Sequence, residues 1–364
     1  MSAPARSERR QSNELLRIAQ IGPVATSIPP LGSSSVELMT SLLTEGLVAR
    51  GHDVTLFATG TSRTAATLHA TFPTGYGEDT SLWPWEACEL LNIAAAVERA
   101  ADFDIIHYQA MYWPMSVPFT RLVSTPVVQT LHHAPSAPEV ALWSRYPDAP
   151  FVAVSNEQAR MLEGLNIAGV VRHGIDTASF TFRAQPDDYL LFLGRFTEGK
   201  GVLQAIEVAR CTGMRLLLAA PENDYYKEAI APHVDGTHLV YAGEVDHPGK
   251  VALFGGARAL LYPVQSGEPF GLVVPEAMAC GTPVAALDRG AVRELVDEGV
   301  TGAVFSSLDE LIEGLPAVFE LDRARIRETA VARFGVDRMV DEYVQVYRRV
   351  IDAGRAFMAR RADR

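Results

Sequence analysis

Two carboxylates, Glu268 and Glu276, are spaced eight residues apart in a stretch rich in glycine and proline. The segment 263–272 reads PVQSGEPFGL and follows a short hydrophobic run that predicts a strand. Pro275 and Gly281 then indicate the beginning and the end of a short helix. Backbone N–H groups at a helix N-terminus attract anions, and carboxylates accept hydrogen bonds from hydroxyls. The stretch predicts a site for a phosphorylated, polyhydroxylated ligand, and the alternative is a structural loop with Glu268 in solvent.

A second loop, Gly194–Gly201, carries two cations among its glycines. Arg195 and Lys200 lie there between a predicted strand and a predicted helix, an arrangement that suits a diphosphate. The spacing is not that of a Walker A loop. The chain has 29 arginines but only three lysines, the others being Lys227 and Lys250, which makes Lys200 distinctive. The alternative is an exposed basic loop without a ligand.

The first half of the chain offers two more candidate positions. Gly32 and Ser33 precede a predicted helix that ends at Arg50, where they would meet a phosphate or simply cap the helix. His132 and His133 follow a predicted strand. Ligands of open α/β sheets bind at the carboxyl ends of strands, although a histidine there is as often structural. The doublet allows one ring to face a ligand and the other to pack.

Weaker patterns indicate further candidate residues. Glu294 lies in a helix that opens near Arg289, and we interpret it as a cap of that helix rather than a ligand contact. Several aromatic residues of the first half fall on or near predicted loops, where an acceptor pocket and a loop core are equally good interpretations. They are Trp83, Trp85, Tyr108, Tyr112, Trp113 and Trp143.

Length and charge exclude several classes of protein. A chain of 364 residues predicts two domains, and no apolar run is long enough to span a bilayer. The net charge is −12, and residues 1–183 hold 12 arginines and no lysine against 17 acidic residues. This balance argues against nucleic-acid and anionic-membrane partners. Three widely spaced cysteines and a polar N-terminus without a secretory signal predict a cytoplasmic protein.

Strands alternate with helices in both halves, which predicts two doubly wound α/β domains. We place a disordered lead-in at 1–14, a first domain at 15–176, a polar linker at 177–188 and a second domain at 189–335. A final amphipathic helix is predicted at 336–358, with its apolar face in the core.

Together these motifs resemble the retaining glycosyltransferases of family four, which have the GT-B fold and include glycogen synthase and sucrose synthase. Glu268 and Glu276 match the E-x7-E pair of that family, and the loop Gly194–Gly201 matches its GR…KG segment. The sequence HGID from His173 resembles the NGVD segment, with histidine in place of asparagine. The segment 30–35 resembles the glycine-pair loop, with serine in place of the second glycine. The similarity extends over nearly the whole chain.

The resemblance implies a fold and a reaction. The fold would be GT-B, with two Rossmann-like domains facing a cleft, an acceptor-side first domain, a nucleotide-sugar-binding second domain, and a last helix that returns to the first domain. The reaction would move a hexose from a nucleoside-diphosphate sugar, most simply UDP-glucose, to a soluble small-molecule or glycan acceptor with retention. Neither a metal nor another cofactor is expected. Two alternatives are a GT-B-like sugar-nucleotide epimerase and a non-catalytic sugar-nucleotide-binding protein.

The resemblance also implies roles for individual residues. Arg195 and Lys200 would neutralise the leaving diphosphate, while Glu268 would bind hydroxyls of the donor sugar and Glu276 those of the ribose. His132 would lie against the donor sugar and help to stabilise an oxocarbenium-like transition state. The remaining predicted nucleotide contacts are Gly32, Ser33, His173, Phe270, Gly271 and Leu272.

Overall fold

The computed structural model describes residues 14–32 and 34–362, with side chains to residue 355. The predicted lead-in, apart from Glu14, and the predicted contact Ser33 therefore lie outside the described residues. The packing divides the described chain into two units. The first comprises residues 14–153, 162–171 and 340–362, and the second comprises 154–161 and 172–339, so that the segment predicted as a linker lies within the second unit.

The first unit contains a parallel sheet of seven strands in the order β3-β2-β1-β4-β5-β6-β7. Hydrophobic side chains fill most strand positions because helices cover both faces of such a sheet. Strands β1 to β7 are Arg17–Ile21, Asp53–Thr59, Thr67–Phe72, Ile105–Ala110, Val127–Leu131, Pro150–Ala153 and Asn166–Val170. Helices α1 to α3 are Ser35–Ala49, Trp85–Glu98 and Ala137–Trp143.

The second unit contains a parallel sheet of six strands in the order β10-β9-β8-β11-β12-β13. Strands β8 to β13 are Leu190–Leu193, Leu216–Ala219, Leu239–Gly243, Ala259–Tyr262, Val284–Leu287 and Gly302–Phe305. Helices α4 to α10 are Asn156–Met161, Val202–Thr212, His247–Gly256, Val273–Ala279, Val292–Leu295, Leu308–Phe319 and Arg323–Phe334.

Both sheets reverse their strand order, and this confirms the prediction of two doubly wound, Rossmann-like units. The reversal lies between β1 and β4 in the first sheet and between β8 and β11 in the second. In open parallel sheets ligands bind outside the carboxyl ends of the strands at such a switch point. The Gly194–Gly201 loop follows β8 and the 263–272 loop follows β11, so the two predicted ligand loops flank the switch point of the second sheet.

The last helix, α11, extends over Val336–Ala362. Its first four residues belong to the second unit, and from Val340 onwards it packs in the first unit. The predicted apolar face is confirmed, because Met339, Tyr343 and Tyr347 are buried together with Val340 and Val350. No helix in the described part of the chain is long and apolar enough to cross a bilayer.

Two carboxylates are buried in the first unit, Glu37 on α1 and Glu89 on α2. Burial raises the pKa of both groups. For Glu89 the N–H of Val24 (3.0 Å) and the hydroxyl of Tyr76 (3.2 Å) donate to Oε1 and oppose the effect of burial, while the charge of Glu37 adds to it. The resulting pKa of Glu89 is about 7.

This pKa predicts that the protein loses stability as the pH rises. The folded chain retains a proton on Glu89 between the ordinary carboxyl pKa of 4.5 and the folded pKa of about 7, whereas the unfolded chain does not. The free energy of unfolding should therefore fall across this window, by about 3 kcal/mol from this group. Urea unfolding at pH 5 and pH 8 measures the fall. In Glu89→Gln it should be clearly smaller, and an unchanged pH dependence would disprove the assignment.

Candidate active site

The loop after β11 is shaped by a glycine that passes directly over a tyrosine. Gly271 has a φ of 93°, and a Cβ at this position would lie 2.2 Å from the Tyr262 hydroxyl. Only glycine adopts this backbone conformation without strain and leaves room for the ring. Glu268, three residues before Gly271 in the same loop, therefore lies beside the end of β11 rather than in solvent.

Glu268 is bound through both of its oxygens. Oε1 accepts a hydrogen bond from Lys200 Nζ at 2.5 Å, and Oε2 accepts one from the Tyr262 hydroxyl at 2.6 Å. Burial, followed by the nearby Glu268 charge, raises the pKa of Tyr262 well above its usual value, so the phenol remains a donor. The side chains of Lys200 and Glu268 are 23% and 21% exposed, which leaves the pair open to a ligand.

A small cavity of about 50 Å³ adjoins this pair. Its lining includes Lys200, Glu268, Tyr262, Gly271 and Leu272. Four of these five residues were predicted from the sequence to contact the donor, and the structure brings them together. Lys200 and Glu268 therefore lie at the cavity together with Tyr262, among mostly apolar lining residues.

Direct packing between the two loops explains why Lys200 reaches Glu268. Gly201 has a φ of 75°, and a Cβ there would lie 1.8 Å from the Pro263 carbonyl oxygen. The backbone N–H of Gln265 donates to the Gly199 carbonyl at 2.9 Å. The final glycine of the cation loop is thus required for close approach, as well as for the turn into α5. Arg195, at the other end of this loop, is exposed.

Glu276 has a lysine partner that was not assigned a role from the sequence. Its Oε1 accepts a hydrogen bond from Lys250 Nζ at 2.7 Å, and its side chain is only 5% exposed. Burial raises the pKa of Glu276, and the charge of Lys250 opposes this shift. Lys250 lies on α6, whereas Glu276 lies on α7. In the sequence, only the scarcity of lysines pointed to Lys250.

The two glutamates are therefore paired with two of the three lysines of the chain. The third, Lys227, is exposed and lies 3.5 Å from Asp224. Arginine is the cation almost everywhere else in the sequence. Lys200 and Lys250 therefore differ from the other basic residues in type and also in their contacts with Glu268 and Glu276.

His173 and Phe270 are core residues of the second unit. Both are buried, and their rings meet edge to face with centroids 4.9 Å apart. Burial, with a contribution from the charge of Arg338, lowers the pKa of His173 to about 3, so the ring is neutral. The histidine that replaces the usual asparagine therefore packs against the ligand loop from behind. The neighbouring Leu272 is half-buried and lines the cavity.

Glu294 caps a helix, but not the one predicted. Its Oε2 accepts hydrogen bonds from the backbone N–H and the amide of Asn156, at 2.9 and 2.8 Å, and its Oε1 accepts from the N–H of Glu157 at 2.7 Å. Arg172 also donates to Oε2 at 2.9 Å. Burial raises the pKa of Glu294, but these donors outweigh it and the pKa is lowered. Glu294 thus stabilises the beginning of α4, which is distant in sequence.

The two histidines after β5, in the first unit, have different partners. His132 Nε2 lies 2.9 Å from Gln109 Oε1 and the residue is half-buried. His133 Nε2 lies 3.3 Å from Glu139 Oε1, and its ring meets Trp143 edge to face at 6.2 Å. His133 is therefore the packed ring of the doublet, as one of the two was expected to be. Gly32, at the end of the loop that follows β1, is exposed.

The aromatic residues of the first half divide into core and surface. Tyr108 and Trp143 are buried and belong to the core. Trp85 stacks on Trp113 at 5.5 Å and meets Tyr112 at 5.7 Å, and the latter two rings are exposed. Trp83 is exposed as well. Tyr108 and Trp143 are thus core residues, whereas an acceptor pocket at the exposed aromatic residues stays a prediction.

Known proteins resemble the chain over most of its length. Sucrose-phosphate synthase from Thermosynechococcus elongatus has a TM-score of 0.74 at 19% identity, covering 93% of this chain and 99% of that one. HepE from Anabaena, in complex with UDP and glucose, has a TM-score of 0.68 at 17% identity, covering 91% and 98%. A phosphatidyl-myo-inositol mannosyltransferase from Mycobacterium tuberculosis is 27% identical over 93% of this chain and 98% of its own length.

Family models match both halves of the chain. The model described as "Glycosyltransferase Family 4" matches residues 36–179, and that described as "Glycosyl transferases group 1" matches residues 177–332. The second model covers both predicted ligand loops and the strands that carry them. The chain belongs to glycosyltransferase family four. It has the GT-B fold, as the solved structures show.

The Lys200–Glu268 and Lys250–Glu276 pairs of this glycosyltransferase lie within the matched second half, and the loops that carry Lys200 and Glu268 flank the switch point of the second sheet. His132 lies within the matched first half. The assignment to the family thus agrees with the motifs from which it was predicted, and the roles of individual residues follow as proposals.

Proposed function

We propose that this glycosyltransferase moves a hexose from a nucleoside-diphosphate sugar to an acceptor with retention of the anomeric configuration, and that UDP-glucose is the donor. The observation that carries the proposal is the Lys200–Glu268 pair beside a cavity at the switch point of the second sheet. A cation and a carboxylate in one corner match a ligand with a charged phosphate and several hydroxyls.

The chemistry assigned to these residues follows from their charges. Lys200 and Arg195 neutralise the charge that develops on the leaving diphosphate, which is the largest electrostatic requirement of the reaction. Glu268 accepts hydrogen bonds from hydroxyls of the donor sugar once the ligand displaces part of its present set of donors. Glu276 accepts hydrogen bonds from the ribose in the same way. The backbone N–H groups of the Phe270–Leu272 segment contribute further donors.

Retention is proposed to occur by substitution on one face of the sugar, with the leaving phosphate assisting deprotonation of the acceptor. Glu268 is a poor candidate for a covalent nucleophile because both of its oxygens already accept hydrogen bonds, which stabilise the anion. His132 is proposed to lie against the donor sugar and to favour the oxocarbenium-like transition state. Metal independence is also proposed, and activity in excess EDTA measures it.

A second candidate differs in the sugar. The similarity to a phosphatidyl-myo-inositol mannosyltransferase extends over 93% of the chain, and this favours a mannosyl donor and an acceptor with a cyclitol ring as the alternative. The acidic composition of the first 183 residues supports an uncharged or cationic acceptor, which an anionic lipid is not.

A donor panel tests both candidates. Thermal shifts and nucleotide release are measured with glucose and mannose donors, each carrying uracil or guanine as the base. UDP-glucose should give the largest shift and slow release of UDP in the absence of an acceptor. Preference for a mannose donor would replace UDP-glucose with the second candidate. Binding without turnover, with every acceptor extract tested, would favour a non-catalytic protein, and release of a free epimerised sugar would favour an epimerase.

A further inference from the structure

The face of the first sheet that α11 covers carries a stripe of polar side chains. Gln20 on β1 pairs in register with His107 on β4, and Gln109 on β4 pairs in register with Thr130 on β5. All four side chains are fully or almost fully buried. Residues two apart on a strand share a face, so His107 and Gln109 lie on the same side. Buried polar groups are costly unless they are hydrogen-bonded, which raises the question of what they bind.

The stripe forms one hydrogen-bonded chain with two tyrosines of α11 and with His132. Its successive contacts are His132 Nε2–Gln109 Oε1 at 2.9 Å, Gln109 Nε2–Gln20 Oε1 at 3.3 Å, Gln20 Nε2–Tyr347 OH at 2.7 Å, Tyr347 OH–His107 Nδ1 at 2.7 Å, His107 Nε2–Thr130 Oγ1 at 2.8 Å and Thr130 Oγ1–Tyr343 OH at 3.1 Å.

Every hydrogen bond of this series from His132 to Thr130 is donated in the same direction. The amide of Gln20 donates to Tyr347, so the Tyr347 hydroxyl is available to donate to His107 Nδ1. Burial lowers the pKa of His107 to about 3, so its ring is neutral and its proton lies on Nε2, facing Thr130. At the other end, the amide of Gln109 donates to Gln20, so its oxygen accepts from His132. A chain with one consistent direction strengthens each of its members.

Two consequences follow for His132. Its Nε2 carries the proton, because the Gln109 oxygen can only accept. The ring is also held through Gln109, whose amide donates to Gln20, which in turn donates to Tyr347. This series of hydrogen bonds connects His132 to a residue of the C-terminal helix.

We propose that Tyr347 is a positioning residue that sets the orientation and tautomer of His132 through Gln20 and Gln109. The proposal rests on the function proposed above for His132. The structure also shows how the link would fail. Gln109 Nε2 lies 3.3 Å from His107 Nδ1 as well as from Gln20 Oε1, so loss of the Tyr347 hydroxyl leaves His107 free to draw the Gln109 amide away from its present position.

Tyr347→Phe and Tyr343→Phe form a matched pair of variants. Both tyrosines are buried on α11, about one turn apart, and each loses one buried hydroxyl. In the series of hydrogen bonds, Tyr347 lies between His132 and His107, whereas Tyr343 lies beyond Thr130. We expect kcat of Tyr347→Phe to fall about 10- to 100-fold with little change in KM for the donor, because small misplacements of a catalytic group have effects of this size. The kcat of Tyr343→Phe should stay within about 3-fold of the wild-type value, since the Tyr343 hydroxyl does not lie between His132 and His107 in this series of hydrogen bonds.

The double variant with His132→Ala separates positioning from a general structural role. If Tyr347 acts through His132, Tyr347→Phe should have no further effect on kcat in the His132→Ala background. Equal effects of the two tyrosine variants, in proportion to their loss of Tm, would overturn the proposal, as would full additivity with His132→Ala. If His132→Ala alone keeps wild-type kcat, the function proposed for His132 is wrong instead, and this outcome is distinct from the first two.

Discussion

Lys200→Ala should lower kcat/KM about 100- to 1,000-fold, as expected for removal of one preorganised group that stabilises developing charge in a transition state. The lysine lies beside the cavity and has its charge within 2.5 Å of Glu268, so it is already ordered before a donor binds. Most of the loss should appear in kcat, because the charge on the leaving diphosphate is greatest in the transition state. Initial rates over a range of donor concentrations measure both constants.

Lys227→Ala is the matched control for this prediction. It removes a lysine from the same unit, but one that is exposed and weakly paired with Asp224. Its kinetic constants should be those of the wild type. The Lys200–Glu268 pair is partly exposed, so its loss should change stability by only about 1 kcal/mol, and both variants should remain folded at the assay temperature. A wild-type kcat/KM for Lys200→Ala would show that the diphosphate does not bind at this loop.

Glu276→Gln should weaken the binding of UDP about 10- to 100-fold. Hydrogen bonds to charged groups contribute about 1.5–3 kcal/mol, and the amide oxygen retains the shape of the acceptor without its charge. The variant should also be less stable than the wild type, because it leaves Lys250 in a largely buried position without its anion. Isothermal titration calorimetry with UDP measures the affinity, and urea unfolding measures the stability.

The double variant Lys250→Met with Glu276→Gln separates these two effects. It removes both charges, so it should recover much of the lost stability while UDP binding remains weak. If Glu276→Gln binds UDP as tightly as the wild type, Glu276 belongs to the structure of the second unit and the ribose must be bound elsewhere.

The parts of the site that are local in sequence could be predicted, and the parts that depend on distant contacts could not. The Glu268 and Glu276 spacing and the glycines around Lys200 are visible within short segments. The partner of Glu276, Lys250, is 26 residues away on another helix. Glu294 likewise caps a helix that begins 138 residues earlier. Such pairings are set by packing between elements, and no local periodicity reveals them.

An edge strand of the first sheet was also missed by the sequence analysis. No strand was predicted from the sequence at β3, Thr67–Phe72. This edge strand has no fully buried position, so it lacks the hydrophobic run that indicated the central strands. The polar stripe of Gln20, His107 and Gln109 is visible in the sequence as polar residues within buried strands. Its meaning depends on Tyr347, which is 240 residues from His107 and meets it only in the folded unit.

The most direct test of the proposed function is the anomeric configuration of the sugar that the protein releases. Proton NMR of the wild type with UDP-glucose should show UDP and α-glucose appearing together before mutarotation, and Lys200→Ala should suppress both signals. Release of β-glucose first would contradict retention. No release of UDP from UDP-glucose, under conditions in which another nucleotide sugar is consumed, would contradict the assignment of the donor.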